Sequence, residues 1–172
     1  MRQLPEPRLV LASASASRRA LLDQAGLAYE ARPAAVDEAA IKDAALAEGI
    51  PPAEAAIILA EAKAERIARR DPEALVIGCD QLLVCPMEDG TLRWFDKPAG
   101  LDGARAHLLA LRGRRHELVN CIVAWRGGAR VWQDVSTARL TMRDFSDAFL
   151  EDYLAAEGEA LCASVGAYRL EG

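Results

Sequence analysis

The chain has 172 residues, a length at which one hydrophobic core still serves a whole domain. Hydrophobic residues make up 52% and charged residues 27%, which is typical of a globular protein and excludes extended disorder. Lys and Arg number 21 against 26 Asp and Glu, and the resulting net charge of −5 excludes a general electrostatic attraction to a nucleic-acid polymer. Any positively charged patch must therefore be local.

The cysteines and histidines exclude several kinds of site. The four cysteines lack the C-x-x-C spacing of zinc and redox sites, so we expect reduced core residues of a cytoplasmic protein. With two histidines, a histidine-rich metal site is excluded and a Ser-His-Asp triad is poorly supported. No stretch approaches the roughly 20 apolar residues of a membrane span, so no membrane partner is expected.

The first half of the chain predicts short strands alternating with helices. Apolar Leu9–Ala12 predicts a buried strand, and a serine-rich loop then leads into a helix over Arg18–Ala25. A strand over Leu27–Ala35, an alanine-rich helix that begins near Glu38, and a long helix from about Ala53 to Arg70 are expected next. The nearly continuous apolar run of residues 74–85 predicts a strand buried on both faces, at the centre of a sheet.

The second half predicts a further strand and helix, a long hairpin, and a last helix. The expected elements are a strand over Leu92–Phe95, a helix through Ala104–Leu111, a hairpin of His116–Trp125 with Val131–Thr141, and a helix over Ser146–Ala156. The tail CASVGAYRLEG predicts a loop that enters a strand. No repeat or linker interrupts this order, so we expect a single α/β domain over residues 1–172.

Asp80 interrupts the apolar run of residues 74–85. An ionised carboxylate inside a buried strand costs several kcal/mol unless a metal, a cation or hydrogen bonds compensate it. Asp80 is therefore a candidate functional residue. The alternative is an aspartate at a strand end that caps a neighbouring loop.

Two helical charges also stand where packing alone would not put them. Lys63 lies four residues after Leu59 and four before Ile67, on the apolar stripe of its helix, where an ammonium group requires an anion. The alternative is a lysine at the edge of the stripe whose head extends into water. Glu38 is either an ordinary first-turn acid or, together with Asp80, a ligand of Mg²⁺ or Mn²⁺.

The segment LVLASASASRR predicts an anion site. Loop N–H groups, serine hydroxyls and arginines at a helix start bind phosphate well, and the candidate residues are Ser13, Ser15 and Arg18. The alternative is a serine-capped helix with surface arginines. Lys97 adds a candidate phosphate-binding cation, or is a solvated loop lysine. Neither a P-loop motif nor a G-x-G-x-x-G motif occurs, so these two modes of nucleotide binding are excluded on motif grounds.

The segments LASASASRRALL, AAVDE, LAEAKA, VIGCDQ, DKP and VGAYRLEG occur in the order and spacing of the Maf family of nucleoside triphosphate pyrophosphatases, over nearly the whole chain. The resemblance implies an α/β fold in which a mixed, twisted sheet flanked by helices forms two lobes around a deep cleft, similar to inosine triphosphate pyrophosphatases. It also implies metal-dependent cleavage of a nucleotide between its α and β phosphates, which releases a nucleoside monophosphate and pyrophosphate.

The resemblance also assigns roles to matching residues. Asp80 matches the family's catalytic aspartate, described as the proton acceptor, and Glu38 matches the acid that helps to hold the metal. The family's phosphate-contacting positions are matched by Ser13, Arg18, Lys63 and Lys97. These matches imply a catalytic group of Asp80, Glu38 and Lys63, a divalent cation, Mg²⁺ or Mn²⁺, held by the two acids, a nucleoside triphosphate as the partner molecule, and a homodimer as a candidate assembly.

The base preference resembles that of the branch that hydrolyses 7-methyl-GTP. That branch has Asp-Gln where the dTTP and UTP branch has Asp-Thr, and Gln81 and Glu171 both match it. A carboxylate at position 171 can accept hydrogen bonds from the N1–H and the exocyclic amine of guanine. Two departures are Ala16, in place of a proline, and Ser17, in place of a bulky specificity residue. Family members also continue past the Glu-Gly with a strand and a helix, which we expect this domain to lack.

Three functions are compatible with these residues. The first is a cytoplasmic enzyme that hydrolyses non-standard or modified nucleotides, with 7-methyl-GTP as a candidate substrate, and that binds neither nucleic-acid polymers nor membranes. The second is a nucleotide-binding regulator of septum formation and cell division with little or no turnover. The third is an α/β interaction domain whose charges are solvated. We adopt the first as the working hypothesis.

Overall fold

The computed structural model describes residues 3–168. The helices are α1 (Ala16–Gln24), α2 (Glu38–Ala47), α3 (Pro52–Ala68), α4 (Gly100–Leu111) and α5 (Asp147–Glu157). The strands are β1 (Leu9–Leu11), β2 (Glu30–Ala31), β3 (Leu75–Pro86), β4 (Leu92–Phe95), β5 (Arg115–Arg126) and β6 (Ala129–Thr141). None of the helices in this part of the chain has the length and apolar character needed to cross a membrane.

The strands form one mixed sheet in the order β2-β1-β3-β5-β6, with β4 paired to β3 outside this order. Strand β1 runs parallel to β2 and to β3, with Val10 opposite both Glu30 and Val76. Strand β4 runs antiparallel to β3, with Phe95 opposite Leu83. The predicted α/β class, with a mixed sheet and flanking helices, is confirmed, and β3 occupies the central position that its apolar sequence predicts.

The chain forms two compact units. The first contains the described residues up to Gln81 together with Asn120–Ser136, and the second contains Leu82–Val119 and the described residues from Thr137 onward. Strands β3, β5 and β6 each contribute residues to both units. The expected single domain with two lobes around a cleft stays a prediction.

In the first unit, α3 packs on β3 through very small side chains. The buried face of α3 contains Ala56, Ala60 and Ala64, which are all fully buried. A Cβ atom at Gly78 of β3 would lie 2.1 Å from the carbonyl oxygen of Ala60, so the position requires glycine. The backbones of helix and strand therefore approach closely, two residues before Asp80.

The second unit has a core of leucines and aromatic rings. One group of buried residues joins β3, β4, α4 and β5, and consists of Leu83, Cys85, Phe95, Leu111 and Leu118. The buried His116 lies with its Nε2 atom 2.8 Å from the hydroxyl oxygen of Tyr168, and burial raises the pKa of that hydroxyl to about 12. His116 therefore belongs to the packing of this unit.

Two expected elements differ from the structure. The strand expected over Leu27–Ala35 is only Glu30–Ala31, because both residues are exposed at the edge of the sheet and Pro33, which lacks an N–H, follows. The described part of the tail, residues 162–168, contains the end of one 3₁₀ helix, Gly158–Ala163, and the whole of a second, Val165–Ala167, where a loop was expected. The strand expected after them falls outside the described residues.

Candidate functional site

Lys63 lies on the buried face of α3, as its spacing from Leu59 and Ile67 predicts. Its side chain is only 8% exposed, so the alternative of a head in water is wrong. Its Nζ atom lies 2.6 Å from Asp80 Oδ1 and 2.9 Å from Glu38 Oε1. The structure thus brings together three charged residues from two helices and the central strand. We call them the Asp80 cluster.

Asp80 points towards α3 from β3. Its side chain is 5% exposed, and its Oδ1 atom accepts a hydrogen bond from Lys63. The Oδ2 atom is buried and has no hydrogen-bond partner among the described residues. An unpaired buried carboxylate oxygen is costly in a folded protein, so a ligand, a metal or a water molecule is the expected partner.

Glu38 reaches Lys63 from the first turn of α2. Asp37 is the N-cap of this helix and accepts a hydrogen bond from the backbone N–H of Ala40, so the expected helix start is confirmed. The Glu38 side chain is 44% exposed. It therefore combines a contact with the buried lysine and access to solvent.

The acids of the Asp80 cluster fit a magnesium-type ion in number and in chemistry. Within residues 3–168 no group of three or more His, Cys, Asp or Glu side chains is placed to hold a metal. Mg²⁺ commonly takes one or two carboxylates from a protein and the remaining ligands from water and phosphate oxygens. Asp80 Oδ2 and the Glu38 carboxylate are the residues that could supply those two ligands, and one lysine leaves the cluster with a net negative charge.

The serine-rich loop also lies beside this part of β3. Ser15 is the N-cap of α1, and its Oγ atom accepts a hydrogen bond from the backbone N–H of Arg18. The Arg18 guanidinium donates to Ser13 Oγ at 3.2 Å and to the carbonyl oxygen of Cys79 at 3.0 Å. The loop and α1 are thereby joined to the residue that precedes Asp80. This arrangement places a guanidinium and a helix N-terminus near the cluster, a combination that suits an anion.

Gln81 is hydrogen bonded to a residue that the sequence did not single out. Its Nε2 atom donates to Asn120 Oδ1 on β5 at 2.7 Å. A signal was present in the sequence, because Asn120 interrupts the apolar run Leu118–Val123. The backbone carbonyl of Cys79, by contrast, could not have been identified as the partner of Arg18 from side-chain patterns.

The remaining predicted site residues lie on other parts of the chain. Lys97 belongs to the second unit and is exposed between β4 and α4. Ser17 is exposed in the first turn of α1, and Ala16 begins that helix. Glu171 lies outside the described residues. The specificity roles of Ser17, Gln81 and Glu171 stay predictions.

The cysteines near the site are structural thiols. Cys79 and Cys121 are buried and free. Burial raises the pKa of Cys79 above its usual value and that of Cys121 to about 11. A protonated thiol is a poor nucleophile, so neither residue competes with Asp80 for a catalytic role.

Comparisons with known proteins agree with the resemblance. The sequence model of the Maf-like protein family matches residues 8–172. A nucleoside triphosphate pyrophosphatase of Granulibacter bethesdensis is 56% identical over 165 residues, which are 96% of this chain and 81% of that protein. A nucleoside triphosphate pyrophosphatase of Paramagnetospirillum magneticum is 53% identical over 95% of this chain and 81% of its own length. A 7-methyl-GTP pyrophosphatase of Rhizobium meliloti is 50% identical over 97% of this chain and 81% of its own length.

These matches span nearly all of the chain, including the loop before α1, the end of α3 and the centre of β3. The names of the relatives agree with the enzyme class that the sequence predicts, a hydrolase acting on acid anhydrides. The chain belongs to the Maf-like protein family.

Proposed function

We propose that this protein is a nucleoside triphosphate pyrophosphatase that acts on non-standard or modified nucleotides, with 7-methyl-GTP as the leading candidate. The observation that carries the proposal is the buried Asp80 carboxylate, which has one oxygen paired with Lys63 and the other without a partner within residues 3–168. The names of relatives that are 50–56% identical support the reaction class.

In the proposed reaction a water molecule attacks the α-phosphorus. A new P–O bond forms to the water oxygen, the bond from the α-phosphorus to the oxygen bridging to the β-phosphate breaks, and pyrophosphate leaves. Asp80 is the group that orients the water and accepts its proton, because its Oδ2 atom has two lone pairs and can accept from the water as well as serve a bound cation. The proton then passes to solvent with the products.

The cations of the site balance the charge of the phosphates. Lys63 holds one oxygen of Asp80 and so fixes the direction of the other. Arg18, the Ser13 hydroxyl and the N-terminus of α1 offer donors to the phosphate oxygens, where negative charge is present before and during the reaction. A bound Mg²⁺ or Mn²⁺, held by Asp80 and Glu38, would add neutralisation of the same oxygens.

The proposal is tested by incubating the protein with dTTP, UTP, CTP, GTP and 7-methyl-GTP, each with Mg²⁺, with Mn²⁺ and with EDTA. We expect pyrophosphate and nucleoside monophosphate as products, fastest with 7-methyl-GTP, and no product with EDTA. Release of inorganic phosphate with a nucleoside diphosphate would contradict cleavage between the α and β phosphates. Calorimetric binding of nucleotide without any product would favour the regulator of septum formation.

A further inference from the structure

We propose that Asn120 is a positioning residue, which sets the base preference by fixing the orientation of the Gln81 amide. The inference rests on the proposed function and on the role in base choice that the family resemblance implies for Gln81. It starts from the hydrogen bond of 2.7 Å between Gln81 Nε2 and Asn120 Oδ1, which joins the neighbouring strands β3 and β5.

Asn120 is half-buried on β5, on the same face of the strand as the buried Leu118 and the partly exposed Ile122. An amide that is partly removed from water costs stability unless its polar atoms are bonded. The hydrogen bond with Gln81 supplies part of this bonding and links the two amides across the strands.

An amide offers two different ends to a ligand. Its nitrogen donates hydrogen bonds and its oxygen only accepts them, and a half turn about the last side-chain torsion exchanges the two. Because Asn120 accepts from Nε2, it holds that nitrogen towards β5. The carbonyl oxygen of Gln81 then becomes the end that is presented away from Asn120.

A fixed acceptor distinguishes bases by their donors. Guanine has an N1–H and an exocyclic amine side by side, whereas uracil and thymine have carbonyl acceptors on both sides of their single N–H. An oriented Gln81 therefore favours guanine nucleotides. An amide that is free to rotate can bind a pyrimidine as well as a guanine, because its nitrogen can then donate to the carbonyl oxygens of the pyrimidine.

Gln81 can be changed without direct change to Asp80. Successive residues of a strand point to opposite faces of the sheet, so Gln81 lies on the other side of β3 from the contact of Asp80 with Lys63. Base selection and bond cleavage thus depend on different side chains of adjacent residues. A change at Asn120 is expected to alter the choice of nucleotide more than the chemical step.

The test compares kcat/KM for 7-methyl-GTP and for UTP in the wild-type protein, Asn120→Ala, Asn120→Asp, Gln81→Ala and the double variant Gln81→Ala/Asn120→Ala. Gln133→Ala, an exposed amide on β6, is the matched control. The measured ratio is kcat/KM for 7-methyl-GTP divided by kcat/KM for UTP. We expect Asn120→Ala to lower this ratio about ten-fold, which is the equivalent of one hydrogen bond. Asn120→Asp still accepts from Gln81 and should keep the ratio.

The double variant separates positioning from packing. If Asn120 acts through Gln81, the ratio in the double variant equals that in Gln81→Ala. A packing role alone would lower the midpoint of thermal unfolding and slow both nucleotides together, with the ratio unchanged. An unchanged ratio in Asn120→Ala, or additive effects in the double variant, would overturn the inference and leave the proposed function standing. A wild-type protein that prefers UTP overturns the assigned orientation, and one that releases no pyrophosphate from any nucleotide overturns both proposals.

Discussion

The first unit contains two groups of charged side chains that are built from the same kinds of residue but have different roles. The Asp80 cluster joins Lys63, Glu38 and Asp80. A second group, the Asp71 cluster, consists of Arg8, Glu30, Arg32 and Asp71. Both link segments that are far apart in the sequence, and both contain two acids. They differ in whether the oxygens of the central acid are used.

The Asp71 carboxylate is fully engaged. Its Oδ1 atom accepts from Arg8 at 3.1 Å, and its Oδ2 atom accepts from Arg8 at 3.0 Å and from Arg32 at 2.8 Å. Arg32 in turn donates to both oxygens of Glu30. The cluster joins the turn after α3 to the residue before β1 and the residue after β2. It has no buried capacity left for a ligand, so its role is to hold the fold.

The Asp80 carboxylate is buried more deeply and has fewer partners. One oxygen is bonded to Lys63, and the other has no partner among the described residues. A protein that only needed stability would gain by satisfying this oxygen or by replacing the acid with an apolar residue. Unused hydrogen-bonding capacity in a buried charged group, and not the presence of the charge, therefore marks the candidate site.

Removing the charge of Asp80 should reduce activity more than any other change considered. Asp80→Asn keeps the size of the side chain and takes away the proton acceptor, so the rate of pyrophosphate release should fall about 10³-fold. The midpoint of thermal unfolding should fall less than in Lys63→Met, because the amide oxygen can still accept the hydrogen bond of Lys63 and Glu38 still balances the ammonium charge. A variant that keeps most of its activity with an unchanged fold would remove Asp80 from the mechanism.

Removing the lysine should affect both activity and stability. Lys63→Met fills the same space but leaves Asp80 buried without its cation, which should lower the free energy of unfolding by about 3 kcal/mol. Denaturant unfolding measures this loss. Activity should fall as well, because the direction of Asp80 Oδ2 is no longer fixed.

The double variant Lys63→Met/Asp80→Asn provides the control. It has no uncompensated charge on β3, so it should recover stability relative to Lys63→Met while staying inactive. If it is no more stable than Lys63→Met, the ion pair does not account for the loss.

The smallest effect is expected in the Asp71 cluster. Asp71→Asn should leave pyrophosphate release unchanged and lower the midpoint of thermal unfolding at neutral pH. The hydrogen bond from Arg32 holds the pKa of Asp71 below its usual value of 3.8. The stabilisation is therefore present above that value and is lost as the pH falls through the lower pKa of the folded protein.

Unfolding scans at successively lower pH check this sign. The difference in midpoint between wild type and Asp71→Asn should shrink as the solution becomes more acidic than pH 3.8. A difference that grows on acidification would contradict the assigned ion pairs, and a loss of activity in Asp71→Asn would end the contrast between the two clusters.

Local patterns in the sequence identified the residues of the Asp80 cluster as candidates and left an alternative open for each of them. The burial of Lys63 follows from its helical spacing, and the position of Asp80 follows from the run that it interrupts. Each of these patterns is local. The first lies within about two turns of one helix, and the second lies within one strand. The central position of β3 is likewise a consequence of its apolar composition, which suits a strand covered on both faces.

The contacts that join distant segments could not be predicted in the same way. The bond from Arg18 to the carbonyl of Cys79 spans 61 positions and the pair of Gln81 and Asn120 spans 39, so each depends on the order of strands in the sheet. The short length of β2 also depends on its place in the sheet, which the local sequence does not reveal. Its sequence permits a longer strand, but an exposed edge with a nearby proline ends the pairing.

The close contact between Gly78 and Ala60 limits how this protein can be engineered. Larger core side chains are a common means to raise thermal stability. Along this seam any added methyl group would push α3 away from β3, and Lys63 would move with the helix. A substitution chosen for tighter packing here would therefore lengthen the reach from the ammonium to the carboxylate, so heat resistance and catalysis cannot be improved together at this seam.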